Sequence, residues 1–323
     1  MTHPAGERSA QRGAALLTAM IIVTLIATMS ATMVWQQWRA VQVEAVERAR
    51  AQSAWLLSGG LDFARLFLRE DRTARNGGPV SLKGAWATPL QEAKLSSFLA
   101  VDKSNVDDAP EVFLAGSITD AQARYNMRNL VDADGKIVAA EVSALGKLFD
   151  SIGVAPDLAA TVATGMRDAT ARPGSPGLPE NAPLMPQNVA QLAWFGLPAA
   201  SLRLMQPFVV LLPRATPVNL NTAPREVLAA AIDGLTVGGA ERLVEARTSR
   251  GAALANLQEA KSLLPGVTTL DARRVGVSSN FFFVQTRIRL EDRVLEEQSL
   301  VETRGLEIVP LQRRRISSRD PAG

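Results

Sequence analysis

The chain's 323 residues carry 35 Lys and Arg against 32 Asp and Glu, with no cysteine, one histidine (His3) and one tyrosine (Tyr125). Without thiols there are no disulfides, thiol nucleophiles or Cys-based zinc sites, and one histidine near the start removes Ser-His-Asp chemistry and histidine-ligated metals from the rest. Near-balanced charge leaves no basic face that argues for nucleic acid, and a lone tyrosine is no platform for stacking bases.

The first element is the uncharged run at 14–35, "AALLTAMIIVTLIATMSATMVW". Its 22 positions match the roughly 20 helical residues that span a bilayer core. Arg8 and Arg12 precede it, while Arg39 behind it is offset by Glu44 and Glu47, so the leader is expected to stay cytoplasmic. A cleaved secretory signal would have a shorter apolar region and a better small-residue site than "TMS" before Ala31. No Gly or Pro occurs from Ala14 through Ser58. Trp38, Val41, Ala45 and Ala49, then Leu57, Leu61 and Ala64, recur at helical spacing. One helix of about 70 Å is therefore predicted, first in lipid and then as a stalk packed on a soluble head.

"RNGGPVSLKG" at 75–84 breaks that helix. Leu95–Leu99 is predicted as a short helix. Glu111–Ala115 and Ala123–Met127 are predicted strands, the second running into the turn "DADG" at 132–135. From Lys136 the period becomes helical, with "IVAAEVSALGKLFDSIG" and "DLAATVATGMRDA" as helices. Five prolines at 173, 176, 179, 183 and 186 mark an extended loop. Asn188 is predicted to cap "VAQLAWFG". In "PVNLNTAPREVLAAAIDGL" a short strand leads to a cap at Thr222 and a helix, and "GGAERLVEARTSRG" makes another. Residues 280–290 and 293–305 alternate as two strands around a turn at Glu291-Asp292. Strands on either side of a helical block point to an α/β head with an insertion.

Gly13 ends a charged leader immediately before the apolar helix. Its bland reading is a loop glycine; its sharper reading is the small residue recognised by a prepilin-type peptidase. If cleavage follows Gly13, Ala14 becomes the mature terminus and Thr18 the fifth mature residue. The leader and apolar run resemble those of pilin-like subunits, and that resemblance implies a Glu there, pairing with the N-terminal amine of the preceding subunit, because an unpaired charge in apolar surroundings is costly. Thr18 has no charge for that role. Thr also simply avoids a buried charge in an ordinary anchor, so position 18 argues only alongside other motifs.

Four segments taken in order resemble the minor pseudopilin K family of type II secretion systems: "QRGAALLTAMIIVTLIAT" at 11–28, "ITDAQARYNMRNLV" at 118–131, "NAPLMPQNVAQLAWFG" at 181–196 and "PVNLNTAPREVL" at 217–228. The resemblance covers about residues 8–306, and its signature positions are Asp120, Asn126, Asn129, Asn219, Asn221 and Thr222. It implies an α+β fold: a long N-terminal transmembrane and stalk helix packed on a pseudopilin α/β head, with a large all-helical insertion like SAM or helix-hairpin-helix modules. The expected divisions are a cleaved prepilin leader 1–13, a transmembrane helix 14–35, a periplasmic stalk 36–75, a head from 76–135 and 273–306, an insertion 136–272 and a disordered tail 307–323.

The resemblance further implies a single-pass inner-membrane protein, cytoplasmic at its N-terminus and periplasmic at its head, with Ala14 N-methylated after cleavage. Its implied role is to form or initiate the pseudopilus tip. The implied partners are other minor pseudopilins, the major pseudopilin, the prepilin peptidase and the membrane, through apolar stripes and small residues such as Ala27, Ser30 and Ala31. No enzymatic activity and no cofactor are expected. Family members bind calcium near an Asp-Trp-x-Asp-x-Asp stretch. Here the corresponding "MRDATARPGSPG" retains Asp168 but has Ala169 and Ala171 at the next two expected positions; Glu180 alone is left to help.

The rival is a membrane-anchored DNA-uptake protein, since 218–251 also resembles helix-hairpin-helix DNA binders, whose Gly-rich hairpin holds a phosphate at a helix N-terminus. Here the hairpin is "DGLTVGG", with an acid at Asp233, and no Lys lies between Lys147 and Lys261. The preferred reading is a packing unit in which Asn219 and Asn221 satisfy backbone groups, and no nucleic-acid partner is expected.

Overall fold

A stretch without helix breakers makes one helix, α1, over Arg8–Ala74 in the computed structural model, which describes residues 8–94, 112–171, 182–290 and 293–316. The chain divides at Leu57 into two compact units. Within the first, α1 is the described element, and its side chains from Gly13 to Arg48 are exposed. It is long and apolar enough to cross a membrane once. Trp35 and Trp38 end the apolar run, where amphipathic rings favour a membrane–water boundary, and the Arg39 guanidinium sits 5.9 Å from the Trp35 ring. Beyond them the helix surface carries ion pairs, Glu44 with Arg48 and Glu47 with Arg50.

The second unit is built on a five-stranded antiparallel sheet in the order β1-β2-β7-β8-β9. The strands are β1 Leu90–Lys94, β2 Val112–Asp120, β7 Phe281–Leu290, β8 Arg293–Arg304 and β9 Glu307–Ile316. Alternation along β7 sends Phe282 and Val284 to one face and Phe281 and Phe283 to the other. On the first face lie Leu61, Ala64 and Leu68 from the last turns of α1, spaced to share one side of the helix. Trp86 meets Phe282 edge to face, with centroids 5.3 Å apart. Gly60 permits this close packing: a Cβ there would lie 2.5 Å from Thr286 Cγ2.

Between β2 and β7 runs a helical block. Its helices are α2 Ala139–Ser151, α3 Leu158–Thr170, α4 Ala199–Met205, α5 Arg225–Ala231, α6 Val237–Ser249 and α7 Leu257–Ser262. Two short parallel pairs stitch it together, β3 Tyr125–Asn126 with β4 Val209–Val210, and β5 Val218–Asn219 with β6 Val275–Gly276. Its core holds Leu145, Leu148, Phe149, Val162, Met166, Val227, Leu228 and Leu243. The chain is thus α+β, with a long apolar N-terminal helix.

Several local expectations differ from the structure. The predicted strand at 123–127 shrinks to Tyr125–Asn126, flanked by 3₁₀ turns at 121–123 and 127–130. Its polar side chains hold loop backbone instead of extending a ladder. Asn188 does cap, accepting from Gln191 N at 3.2 Å, but the segment behind it is a 3₁₀ helix, Val189–Phe195. The predicted helix at 95–99 and turn at 291–292 lie outside the described residues.

Residues 307–316, expected as part of a disordered tail, form the edge strand β9. A proline and three arginines hide this in the sequence. An edge strand needs only one ladder, and Pro310 sits opposite Val301, beside a register shift at Leu300/Val301 where its missing N–H is tolerated. Ile308 adds buried apolar surface to the α1 side of the sheet. Residues 317–323 lie outside the described residues.

β8 also carries a buried carboxylate. Glu302 is 3 % exposed and pairs with Arg214 and with Arg304 at 2.7 Å. Burial pushes its pKa up, but hydrogen bonds from the two guanidinia outweigh this and hold it below the usual carboxylate value. A depressed pKa gives stability that is present above pH 4.5 and lost as pH falls through the folded value. Glu302→Gln is therefore expected to flatten the fall in melting temperature between about pH 5 and pH 3. Parallel thermal melts check this; an unchanged slope would contradict it.

Candidate functional site

The predicted site residues fall into two places. Gly13, Ala14 and Thr18 lie on the N-terminal part of α1. The Gly13–Ala14 bond lies within the helix, and a Cβ at Gly13 would meet nothing within 4 Å. The Thr18 hydroxyl donates to its own helix, to Ala14 O at 3.0 Å and Ala15 O at 2.9 Å. Thr24 bonds back in the same way, to Met20 O and Ile21 O. In lipid, where water is absent, such a hydroxyl spends its hydrogen within its own helix and presents neither charge nor unmet donor to a neighbour.

The remaining signature residues meet where the helical block joins the sheet. Asp120 ends β2 and is 3 % exposed. Its Oδ1 accepts from Gln122 N at 2.8 Å. Its Oδ2 accepts from Thr222 Oγ1 at 2.6 Å, Ser279 Oγ at 2.6 Å and Asn219 Nδ2 at 2.8 Å. One carboxylate so ties β2 to β5, to the start of α5 and to the approach to β7. Burial pushes its pKa above the usual carboxylate value, and the four hydrogen bonds only partly pull it back. Asn219 Nδ2 also donates to Val80 O at 3.1 Å, reaching the segment behind α1.

Thr222 is not the predicted helix cap: its hydroxyl is spent on Asp120, and α5 begins at Arg225 behind Pro224. Asn221 holds the turn's other side. Its Oδ1 accepts from Leu254 N at 2.9 Å, and its Nδ2 donates to Leu254 O at 3.1 Å and Val277 O at 3.3 Å. Asn129 does the same for Thr216, donating to its carbonyl at 2.9 Å and accepting from its N–H at 3.0 Å. Asn126 donates to Arg214 O at 2.8 Å and accepts from Leu212 N at 3.2 Å. Each asparagine serves as a piece of ladder for irregular backbone, as buried N–H and C=O groups require.

Four further groups complete this joint and were missed in the sequence. Gln122 donates to Pro217 O at 3.1 Å and accepts from Asn280 N at 2.7 Å. Ser279 is the Asp120 partner described above. Arg247 is buried without a carboxylate partner among the described residues, its guanidinium donating to Leu220 O at 2.5 Å and Ala223 O at 2.7 Å. Burial lowers its pKa to about 10. A signal existed for it, since position 247 continues the buried stripe of Ala240 and Leu243 on α6. Last, Tyr125 donates to Glu141 Oε2 at 2.7 Å, and Arg274 lies 3.0 Å from Glu141 Oε1. Burial, then the Glu141 charge, pushes the phenol pKa well up, so Tyr125 stays a donor.

Two alternative chemistries meet these residues poorly. Asp168 lies 2.7 Å from Arg167, and no group of three or more acidic or histidine side chains gathers among the described residues. Glu180 lies outside them. Calcium wants six to eight oxygens, of which the Asp168 carboxylate by itself supplies at most two. At the hairpin before α6, the Asp233 carboxylate pairs with Arg274 at 2.7 Å and Lys147 at 3.7 Å. The Thr236 hydroxyl accepts from Gly239 N, occupying a donor a phosphate would need.

Comparison with known proteins agrees with this architecture. Residues 123–214 and 218–278 match two family models, both described as type II secretion system (T2SS), protein K. Type II secretion system protein K of Pseudomonas aeruginosa PAO1 is 29 % identical over 92 % of this chain and 89 % of that protein. The protein K of Pectobacterium carotovorum subsp. carotovorum is 26 % identical over 95 % and 97 %. The fold resembles a chain in the crystal structure of the GspK-GspI-GspJ complex from the enterotoxigenic Escherichia coli type 2 secretion system, with a TM-score of 0.62 and 18 % identity over 84 % of this chain and 98 % of that one. The ordered family signature, its burial at one structural joint and similarity over nearly the whole length agree: the chain belongs to the type II secretion system protein K family and is a minor pseudopilin of such a system.

Proposed function

We propose that this pseudopilin occupies the tip of the pseudopilus, where it initiates the filament with other minor pseudopilins and caps it during protein export. The observation that carries this is Thr18, whose hydroxyl is bonded into its own helix. A subunit without a carboxylate there cannot pair with the terminal amine of a predecessor, and the first subunit has no predecessor. The helical block supports the reading, because a bulky head would clash if repeated along a thin filament.

The same reading includes cleavage after Gly13 on the cytoplasmic side, N-methylation of Ala14, a periplasmic head, and contacts with the major pseudopilin and the prepilin peptidase. It assigns no catalytic role and no cofactor. The DNA-uptake alternative is not favoured, because Asp233 and the Thr236 cap occupy the hairpin where a phosphate would sit.

Labelling this chain with one gold particle in isolated pseudopili tests the placement. One label at one end of each filament is expected. Labels spaced along the shaft would refute it.

A further inference from the structure

The sheet face turned away from α1 is only partly covered by the helical block, and a groove of about 500 Å³ opens between α4, β4 and strands β7–β9. Its floor follows the cross-strand register. Gln285, Gln298 and Arg314 stand opposite one another across β7, β8 and β9, and Phe283, Leu300 and Gln312 form the adjacent row. Arg124 enters from the end of β2 and Arg203 from α4. Among the described residues, no Asp or Glu lines the groove.

Arg124 is the unusual member. It is half-buried, its guanidinium lies 5.3 Å from the Phe283 ring, and its side chain makes no hydrogen bond or ion pair among the described residues. It feels the charge of Asp120, whose oxygens already accept from Gln122, Thr222, Ser279 and Asn219. On the neighbouring floor Glu296 is occupied by Gln285. Among the described residues, Arg314 reaches only Gln298 Oε1, at 3.3 Å, and the Arg203 side chain has no hydrogen-bond or ion-pair partner. Three arginines thus line a half-apolar groove without a counter-charge among the described residues. Burial makes a charge-assisted bond from Arg124 stronger than one at an open surface.

We infer that this groove binds an acidic segment of a partner protein, with an Asp or Glu carboxylate seated between Arg124, Arg203 and Arg314. The size favours a segment over a small anion, since about 300–1,000 Å³ is the range of pockets holding drug-sized ligands and one carboxylate fills little of it. The glutamine and asparagine side chains around the arginines can serve backbone N–H and C=O groups alike, as an extended peptide needs. The Phe283 ring lies under Arg124, which leaves no open stacking platform for a nucleobase. The inference rests on this geometry and holds wherever in the filament the chain sits.

The test uses the full chain in a neutral detergent. A dye-labelled, capped heptapeptide with two glutamates is titrated by anisotropy, beside its glutamine counterpart and with free glutarate as competitor. Saturable binding of the glutamate peptide is expected, about tenfold tighter than the glutamine peptide and weaker at higher salt. The double variant Arg203→Gln, Arg314→Gln, both at exposed positions, is expected to lose about tenfold in affinity with an unchanged melting temperature. Arg124→Lys is expected to retain the charge but lose part of the affinity, because a lysine cannot offer the planar fork. Equal binding of both peptides, no saturable binding, or an unaffected double variant would overturn the proposal. Glutarate competing as well as the peptide would overturn the segment in favour of a small-anion site.

Discussion

Gly13→Val is expected to leave the 13-residue leader attached and to stop export of the system's folded substrates. The substitution isolates recognition from folding. A Cβ at position 13 meets nothing within 4 Å, so valine fits the helix without displacing any neighbour. Replacing Gly within a helix removes a flexible residue, and most replacements strengthen the helix by up to about 1 kcal/mol. What valine changes is the size of the residue a peptidase must accept before the scissile bond. Intact-mass measurement of the purified chain checks it. The parent protein is expected to begin at Ala14 with one extra methyl group and the variant to keep Met1 or its processed equivalent. A variant that matures normally, or a parent terminus at Ala31, would contradict the assignment.

Asp120→Ala is expected to destabilise the second unit by about 3 kcal/mol. The carboxylate serves Gln122 N, Asn219, Thr222 and Ser279 in a buried place, and each donor left without a partner costs about 1–3 kcal/mol. Rotation of the two hydroxyls, and the bond from Asn219 to Val80 O, keep the total below the simple sum. Urea unfolding of the full chain in detergent measures it, with Asp271→Ala as the control. Asp271 is exposed and pairs with Arg273, so its loss is expected to stay below about 1 kcal/mol. Equal effects of the two substitutions would show that the joint does not hold the blocks together.

The pH dependence of the joint has the opposite sign to that of Glu302. The raised pKa of Asp120 means its stability contribution is fully present below pH 3.8 and is lost as pH rises through the folded value. Between the two pKa values Asp120→Asn is expected to remove this downward slope, whereas Glu302→Gln removes an upward one. Acid melts of the two variants should therefore diverge in opposite directions from the parent.

Much of the chain was determined by local chemistry. The charge-free stretch from Ala14 specified a helix, because lipid demands internal hydrogen bonding and nothing in the stretch breaks a helix. Alternation specified β7 and β8, and helical spacing with flanking turn signals specified α2, α3 and α6. Thr18 was equally legible, since its hydroxyl needs only carbonyls three and four residues away.

The tertiary structure decided whatever depended on distant partners. Asp120 meets Asn219 across 99 positions and Ser279 across 159, and no local pattern encodes those distances. Thr222 looked like a cap because its neighbours are cap-like, but a buried carboxylate competes for the hydroxyl and wins. β9 looked like a tail because it carries Pro310 and Arg313–Arg315, yet the open edge of β8 supplied the ladder and the α1-side core took up Ile308. The unpaired arginines of the groove were individually visible as ordinary surface charges. Only the register of β7, β8 and β9, with the helical block above them, gathers them in one place, because convergence is a property of how strands align and not of the residues themselves.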